Sequence, residues 1–449
     1  MHTRRQFISG SLAAVTASVV APAGAAEAVM RGAGHAIPEF ESAEAIAREL
    51  GSHAGEPGAM ASNEDFWHTV QQAWTLDRSI VNFNNGGISP SPWVVQEAMR
   101  RHYEYTNRVP PPHALWSVFP PQKEALRQRM ARQWGVDAEE IAFTRNASEA
   151  MQICQFGLDL RPGDEVLSTT HDYPRMLNTF KQRERREGIK LVQFELPAIA
   201  ETDEEIVELF ARHITPRTRA ILMCHVIFLN GQILPVAKIC RMARERGVPV
   251  LVDGAHALAH MDFSIADLDC DYYGVSLHKW LFAAHGTGLL YVRREKIKGL
   301  WPLMASTEAQ EDDIRKFEEF GTFPLGNTLA IAEALTFHQG IGPARKEARM
   351  RFLKDRWATR LASHPSGRVT MRTSMSPHFS CGIATFNIDG VDHGALREHL
   401  WNEHRIFTVS ISSAGVVGTR VTPSVYSTLE EVDRFCEVVE RVIEKGIPA

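Results

Sequence analysis

The chain is expected to be an α/β protein: a mostly parallel large-domain sheet with helices on both faces, followed by a smaller α+β C-terminal domain. Three observations predict it. From about residue 140, short β-rich apolar runs alternate with amphipathic runs of helical length, the pattern of strand–helix–strand units. After about residue 330 the alternation gives way to mixed helix and strand text. The chemically distinctive residues fall just after apolar runs, at what would be the carboxyl ends of parallel strands, where open α/β sheets place their sites.

Taken in chain order, residues 1–26 carry Arg4-Arg5, an apolar stretch from about Ile8 to Val20 and a small-residue exit at Ala23-Gly24-Ala25-Ala26, the layout of a secretory signal. The order Thr3-Arg4-Arg5-Gln6-Phe7-Ile8 resembles a twin-arginine signal. The apolar run is short and interrupted for a membrane span. Export in the folded state is therefore expected, to the periplasm or beyond, with no membrane anchor. Residues 27–75 read as an N-terminal arm, loosely ordered through about residue 62. The large domain is expected over 76–330, with strands at 141–144, 165–169, 191–196, 220–226, 249–253, 272–277 and 288–292. Helices are expected near 147–158, 174–187, 203–213 and 235–246. The C-terminal domain, 331–449, should hold helices near 329–339, 344–362, 394–404 and 429–444, and strands near 369–373, 382–388, 406–412 and 418–422.

Composition narrows the function classes. The 449 residues are 44% hydrophobic and 23% charged, an ordinary globular balance. With 49 basic against 54 acidic residues the net charge is −5, which gives no basic surplus for nucleic acid or an anionic membrane. The run Lys181-Gln182-Arg183-Glu184-Arg185-Arg186 interleaves an acid and reads as a solvated helix face. Six scattered cysteines form no Cys-x-x-Cys pair, which argues against a disulfide framework or a zinc knuckle.

Three strand-end motifs carry chemistry. In Ser276-Leu277-His278-Lys279-Trp280 a lysine follows a strand in an apolar setting, and desolvation favours the neutral, nucleophilic amine. In Val252-Asp253-Gly254-Ala255-His256 an apolar strand runs into an aspartate, a carboxylate that needs a partner if buried. In Thr144-Arg145-Asn146-Ala147-Ser148-Glu149 a strand leads into a helix N-terminus, a ready anion seat. Each alone is also an ordinary loop lysine or helix cap. Together, on one sheet edge, they supply what pyridoxal 5′-phosphate needs: an amine for its aldehyde, an acid for its ring nitrogen and a seat for its phosphate. Tyr173, after the strand at 165–169, is placed to cover the ring.

With these residues in view, the chain over about 78–445 resembles the class V aminotransferases of the fold-type-I pyridoxal-phosphate enzymes, and within them the isopenicillin-N-epimerase-like branch. The resemblance rests on Asn82-Phe83-Asn84-Asn85-Gly86-Gly87, Thr144–Glu149, His171-Asp172-Tyr173, His225 with Gly231-Gln232, and Asp253-Gly254-Ala255-His256. It continues through Ser276–Trp280, Gly286-Thr287-Gly288, Gly321-Thr322 and Arg420-Val421-Thr422-Pro423-Ser424-Val425-Tyr426-Ser427-Thr428. The resemblance implies a Schiff base at Lys279, which would also shuttle the substrate's α-proton; Asp253 on the pyridine nitrogen; and His256 by the phenolic oxygen. It implies Asn146, Ala147, Ser148, Ser276 and His278 around the phosphate, and Thr322 reaching the phosphate of a neighbouring subunit in a homodimer with shared sites. Asn84, Asn85 and Gly86 would border the substrate, and Arg420 would bind its carboxylate through a bidentate fork.

The expected function is a pyridoxal-phosphate enzyme acting on an amino acid or related amine, with aminotransfer favoured. Epimerisation or racemisation and C–S or C–N lysis are alternative fates of the same chemistry. Arg145 is a departure in the phosphate loop that could alter its charge. No cysteine lies between Cys381 and Arg420, so the loop nucleophile of a cysteine desulfurase is missing. A metal-dependent hydrolase using Asp253, His256 and His260 is a reading from another class, but residue 257 is Ala where the zinc-protease pattern wants Glu. A binding protein or inactive relic on the same fold is a third, opposed by the complete Lys279, Asp253 and Arg420 set. A nicotinamide enzyme lacks its Gly-x-Gly-x-x-Gly.

Overall fold

The computed structural model describes residues 42–448. The signal expected at 1–26 and the start of the arm, 27–41, lie outside the described residues. The first strand, β1 (Val81–Asn82), is followed by β2 (Ile141–Thr144), β3 (Glu165–Thr169), β4 (Lys190–Phe194), β5 (Thr218–Cys224), β6 (Val250–Asp253), β7 (Tyr272–Ser276) and β8 (Gly288–Val292). The last seven form one sheet in the order β2-β8-β7-β6-β5-β3-β4. Every ladder is parallel except the two made by β8, which runs against both neighbours.

Successive strand residues point to opposite faces, and the two faces are separate cores. Ile221, Met223, Val250, Val252, Tyr273 and Val275 enter one. Ala220, Leu222, Leu251 and Tyr272 enter the other, beneath Met151 and Cys154 of helix Ala147–Gly157 and Phe180 of helix Pro174–Glu187. This two-sided burial explains why the strands read as continuous apolar runs rather than alternating ones.

A second, antiparallel sheet holds β9 (Val369–Met371), β10 (Ala384–Ile388), β12 (Val409–Ser413) and β13 (Val416–Val421), in the order β12-β13-β10-β9. Helices Pro343–Ala362, His393–His404 and Leu429–Lys445 contribute to its core. The single strand expected at 406–412 is split at Thr408: β11 (Ile406–Phe407) pairs in parallel with β1, and β12 pairs with β13. Val81 and Phe83 therefore belong to the smaller core, although they fall in the span expected for the large domain. Conversely, helix Ile331–Ile341, expected to open the C-terminal domain, buries Leu335 and Phe337 in the large core.

The loose arm is corrected over its described part. Ser42 caps helix Ala43–Ser52 through its hydroxyl, which accepts from Ala45 N at 3.1 Å. Ala43, Ile46 and Leu50 form a buried stripe at helical spacing. The helix lies so close to Ile331–Ile341 that a Cβ on Gly340 would sit 2.6 Å from Ala47 Cα. Its many small and charged residues hid a short three-residue seam.

Candidate active site

The carboxyl ends of β2, β3, β5, β6 and β7 converge on one cavity of about 460 Å³. Lys279, Asp253, His256, Asn146, Ala147, Ser148, Tyr173, Ser276, His278, Gly86 and Arg420 all line it, so the structure gathers eleven expected residues from six separate chain segments. Asn84, Asn85 and Thr322 are not on its wall.

Lys279 follows the end of β7, its amine open to the cavity but enclosed by protein. Burial lowers its pKa from the ordinary 10.5 to about 8, against the opposing pull of the Asp253 charge. Its Nζ lies 3.3 Å from His256 Nε2. Burial, with the charges of Lys279 and Arg420, holds the His256 imidazole well below its usual range, so the ring is neutral. Its Nδ1 is buried without a partner among the described residues. Asp253 ends β6 with 5% exposure. One carboxylate oxygen accepts from Ala255 N at 3.0 Å, and burial raises the acid's pKa.

The helix N-terminus brings Asn146, Ala147 and Ser148 to the cavity beside Ser276 and His278. Asn146 is the N-cap, its Oδ1 accepting from Glu149 N at 2.9 Å. Ala147 N donates to Ser276 Oγ, also at 2.9 Å. Those two groups shape the seat, while the Asn146 side-chain NH2 has no hydrogen bond among the described residues and is left as a donor. They also leave free the Ser148 N–H, the Ser148 hydroxyl, the Ser276 hydroxyl proton and the outer nitrogen of His278, whose Nδ1 bonds Thr287 O at 3.1 Å. Burial brings the His278 pKa to about 4. Arg145 leaves the seat's charge alone: its guanidinium turns out to Glu149 at 2.6 Å and is 59% exposed.

Arg420, on β13, reaches the cavity from the smaller sheet with 6% exposure. Nη1 donates to Phe228 O at 2.6 Å and Nη2 to Asn84 Oδ1 at 3.0 Å, while Nε is buried without a partner. No carboxylate among the described residues meets it, and burial pulls its pKa down to about 10. A buried cation without a counter-ion is costly and marks a place for an anion. Asn84 thus orients the arginine from behind. Asn85 is internal: its amide donates to Asn82 O at 2.9 Å and Thr422 O at 3.0 Å, and its oxygen accepts from Asn82 Nδ2 and the Tyr426 hydroxyl. Thr422 holds the whole strip, its hydroxyl accepting from Gly86 N at 3.1 Å. Thr322 is exposed, off the cavity.

Sequence reasoning missed Cys224, Phe228, Arg175, Ile88, Val409 and Ile411 on the cavity wall. Phe228 lay inside the motif between His225 and Gly231, so its neighbourhood was visible; Val409 and Ile411 come from the other sheet and carry no motif. Asp172, noted only as part of a motif, is a knot under the floor. It accepts from Ser168 Oγ, Thr169 N and Thr169 Oγ1 through one oxygen and from Cys224 N through the other. His260 is structural: it stacks on Trp280 at 4.0 Å, Gly382 N donates to its Nε2 at 2.8 Å, and its Nδ1 bonds His256 O. With both ring nitrogens engaged it has no lone pair for a metal, which removes one of the three ligands of the hydrolase reading.

Residues 80–435 match the family model described as Aminotransferase class-V. Isopenicillin N epimerase from Streptomyces clavuligerus is 30% identical over 391 residues, 83% of this chain and 98% of the relative. A solved C-DES mutant with glycine covalently linked to the PLP cofactor is 25% identical, with a TM-score of 0.71, over 81% of this chain and 97% of its own. The apo cysteine desulfurase from Thermococcus onnurineus NA1 shares the fold with a TM-score of 0.74 at 24% identity, over 84% of this chain and 98% of its own.

Proposed function

The chain belongs to the class-V aminotransferase family, and from that premise we propose that it is a pyridoxal 5′-phosphate enzyme that moves the α-proton of an amino acid, with epimerisation as its reaction. One observation carries the reading: a single cavity holds a lysine brought toward neutrality by burial, a strand-end carboxylate, and a buried arginine with no counter-ion.

The residues present fit the cofactor. Two buried polar atoms on the cavity wall, His256 Nδ1 and Arg420 Nε, have no partner among the described residues. Asp253 has an oxygen left for a ring N–H, and the helix seat has donors left for a phosphate. Ser148, Ser276 and His278 would hold the phosphate, Asp253 the ring nitrogen, Tyr173 the ring's flank and Lys279 the aldehyde carbon. When bound, the cofactor supplies an electron-withdrawing ring that acidifies the α-C–H of an amine joined to it.

The chain's own residues do the rest. Arg420, steadied by Asn84 and Phe228, binds the α-carboxylate and so fixes which face of the α-carbon is presented. Lys279, with a pKa near the working pH, is matched to take the α-proton from one face, and epimerisation then requires a proton delivered to the opposite face, from solvent or a second group on the cavity wall. His256, neutral and adjacent, shares a hydrogen bond with the Lys279 amine without competing for charge. Desulfurase chemistry has no thiol here. Cys224 lines the cavity, but burial and the charges of Asp172 and Asp253 push its thiol far above the usual range, which leaves it inert.

Support for epimerisation over aminotransfer comes from the relative of that name, matched over 98% of its length. The experiment is incubation of the cofactor-loaded enzyme with single-enantiomer amino acids in D2O. α-Deuteration with loss of optical purity and no keto acid is the expected result. Stoichiometric keto acid would replace epimerisation by aminotransfer, and no exchange with any amino acid would overturn the role of Lys279. The reading includes export, proposed from residues 1–26 and checked by locating the activity in the periplasmic fraction.

A further inference from the structure

Four charged side chains line the cavity: Asp253, Lys279, Arg420 and Arg175. The reading above, on which this inference rests, uses the first three. Arg175 stands in the first turn of helix Pro174–Glu187 and is exposed at the cavity's edge. Its backbone oxygen accepts from Thr179 Oγ1 at 3.3 Å. Its guanidinium has no hydrogen bond and no carboxylate partner among the described residues. A cation in a first helical turn also opposes the helix dipole, so local helix energetics do not explain it.

A continuous wall joins it to Arg420. Arg420 Nη1 donates to Phe228 O at 2.6 Å. The Phe228 ring meets the Tyr173 ring edge-on with centroids 5.3 Å apart. Arg175 follows Tyr173 after one proline. Ile88, Val409 and Ile411 add apolar surface to the same cavity. Among the described residues the lining is thus cationic at Arg420, aromatic and aliphatic between, and cationic again at Arg175, with no acid but Asp253. We infer that Arg175 receives a second anionic group, so that the preferred substrate is an α-amino acid whose side chain ends in a carboxylate. Its α-carboxylate sits on Arg420, its methylenes lie along Phe228 and Tyr173, and its distal carboxylate meets the Arg175 fork.

The test titrates cofactor-loaded wild type, Arg175→Gln and Arg175→Glu with pairs matched in carbon number, glutamate against norvaline and 2-aminoadipate against norleucine. Binding is followed by the cofactor's absorption. Wild type should bind the acidic member of at least one pair about tenfold more tightly, as one charge-assisted pair provides. Arg175→Gln should erase that ratio with pyridoxal-phosphate affinity and neutral amino-acid binding unchanged, and Arg175→Glu should invert it. Equal affinities in wild type, or a preference that survives Arg175→Gln, would overturn the inference. So would an Arg175→Gln enzyme that loses cofactor affinity at an unchanged ratio, which would assign the arginine to the phosphate. A wild type that takes up no pyridoxal phosphate fails earlier, and fails the reading rather than the inference.

Discussion

At the scale of single residues, the site is a balance of charges held in a low-dielectric pocket. Lys279 shows the direction of the effect. Burial lowers its pKa to about 8, so the neutral amine grows in as pH rises through that value. The rate at which apoenzyme takes up pyridoxal phosphate should climb from pH 6.5 and level off above about pH 8.5, followed by stopped-flow absorbance; a flat profile would mean an unperturbed lysine. The same shift carries a stability signature. Between pH 8 and 10.5 the unfolded chain binds the proton that the folded chain has lost, so this group makes apoenzyme stability rise with pH across that window. Arg420 gives the complementary case. Replacing a buried, uncompensated cation by a hydrocarbon should stabilise the apoenzyme by about 1–3 kcal/mol. Arg420→Leu should therefore raise the apo Tm while raising KM by about 10–100-fold or more, the loss of a charged hydrogen-bond pair. A variant that loses both stability and binding would make Arg420 a structural residue.

At the scale of elements, strands and helices position the groups that touch nothing themselves. β8 passes so near the helix entry that a Cβ on Gly288 would sit 2.6 Å from both Asn146 Cα and Thr144 Oγ1. Gly288→Ala should push the helix N-terminus outward, cost about 1–3 kcal/mol as overpacking does, and weaken cofactor affinity measured by equilibrium dialysis. Unchanged affinity would remove the helix N-terminus from the seat. The helix Ala43–Ser52 makes a second case, since Ile46 is fully buried. Ile46→Ala should cost about 2–5 kcal/mol in urea unfolding, whereas an arm without packing would show none. Much of this level was legible in the sequence. β2, β3, β8 and helix Pro174–Glu187 fall where their text ends, because a strand buried on both faces, or a helix with Pro at its start and Gly188 past its end, declares its limits. What stayed hidden depends on partners distant in sequence. Thr408 divides β11 from β12 because two different sheets claim the halves. Asn85 faces inward because Thr422 and Tyr426 capture its amide. Asn146 Oδ1 caps its own helix and Ala147 N donates to Ser276 Oγ. Nothing local in the sequence distinguishes those outcomes.

At the scale of the whole molecule, two sheets meet around one cavity: the larger provides Asp253, Lys279 and the anion seat, the smaller provides Arg420, Val409 and Ile411. Thr322 is exposed and away from the cavity of its own chain; we propose a homodimer, as the family resemblance implies, in which it would face the neighbour's phosphate seat. Light scattering should give twice the chain mass, and Thr322→Ala should lower cofactor affinity without dissociating the dimer; a monomer with full cofactor affinity would end that proposal. The account as a whole stands on Lys279 being the point of cofactor attachment, and the most direct measurement is an absorption spectrum of the purified protein loaded with pyridoxal phosphate, before and after borohydride, followed by peptide mass analysis. The account predicts a visible band that borohydride bleaches, with the reduced cofactor's mass on Lys279 and no such adduct in Lys279→Ala. A colourless protein, or an adduct on any other lysine, would contradict it.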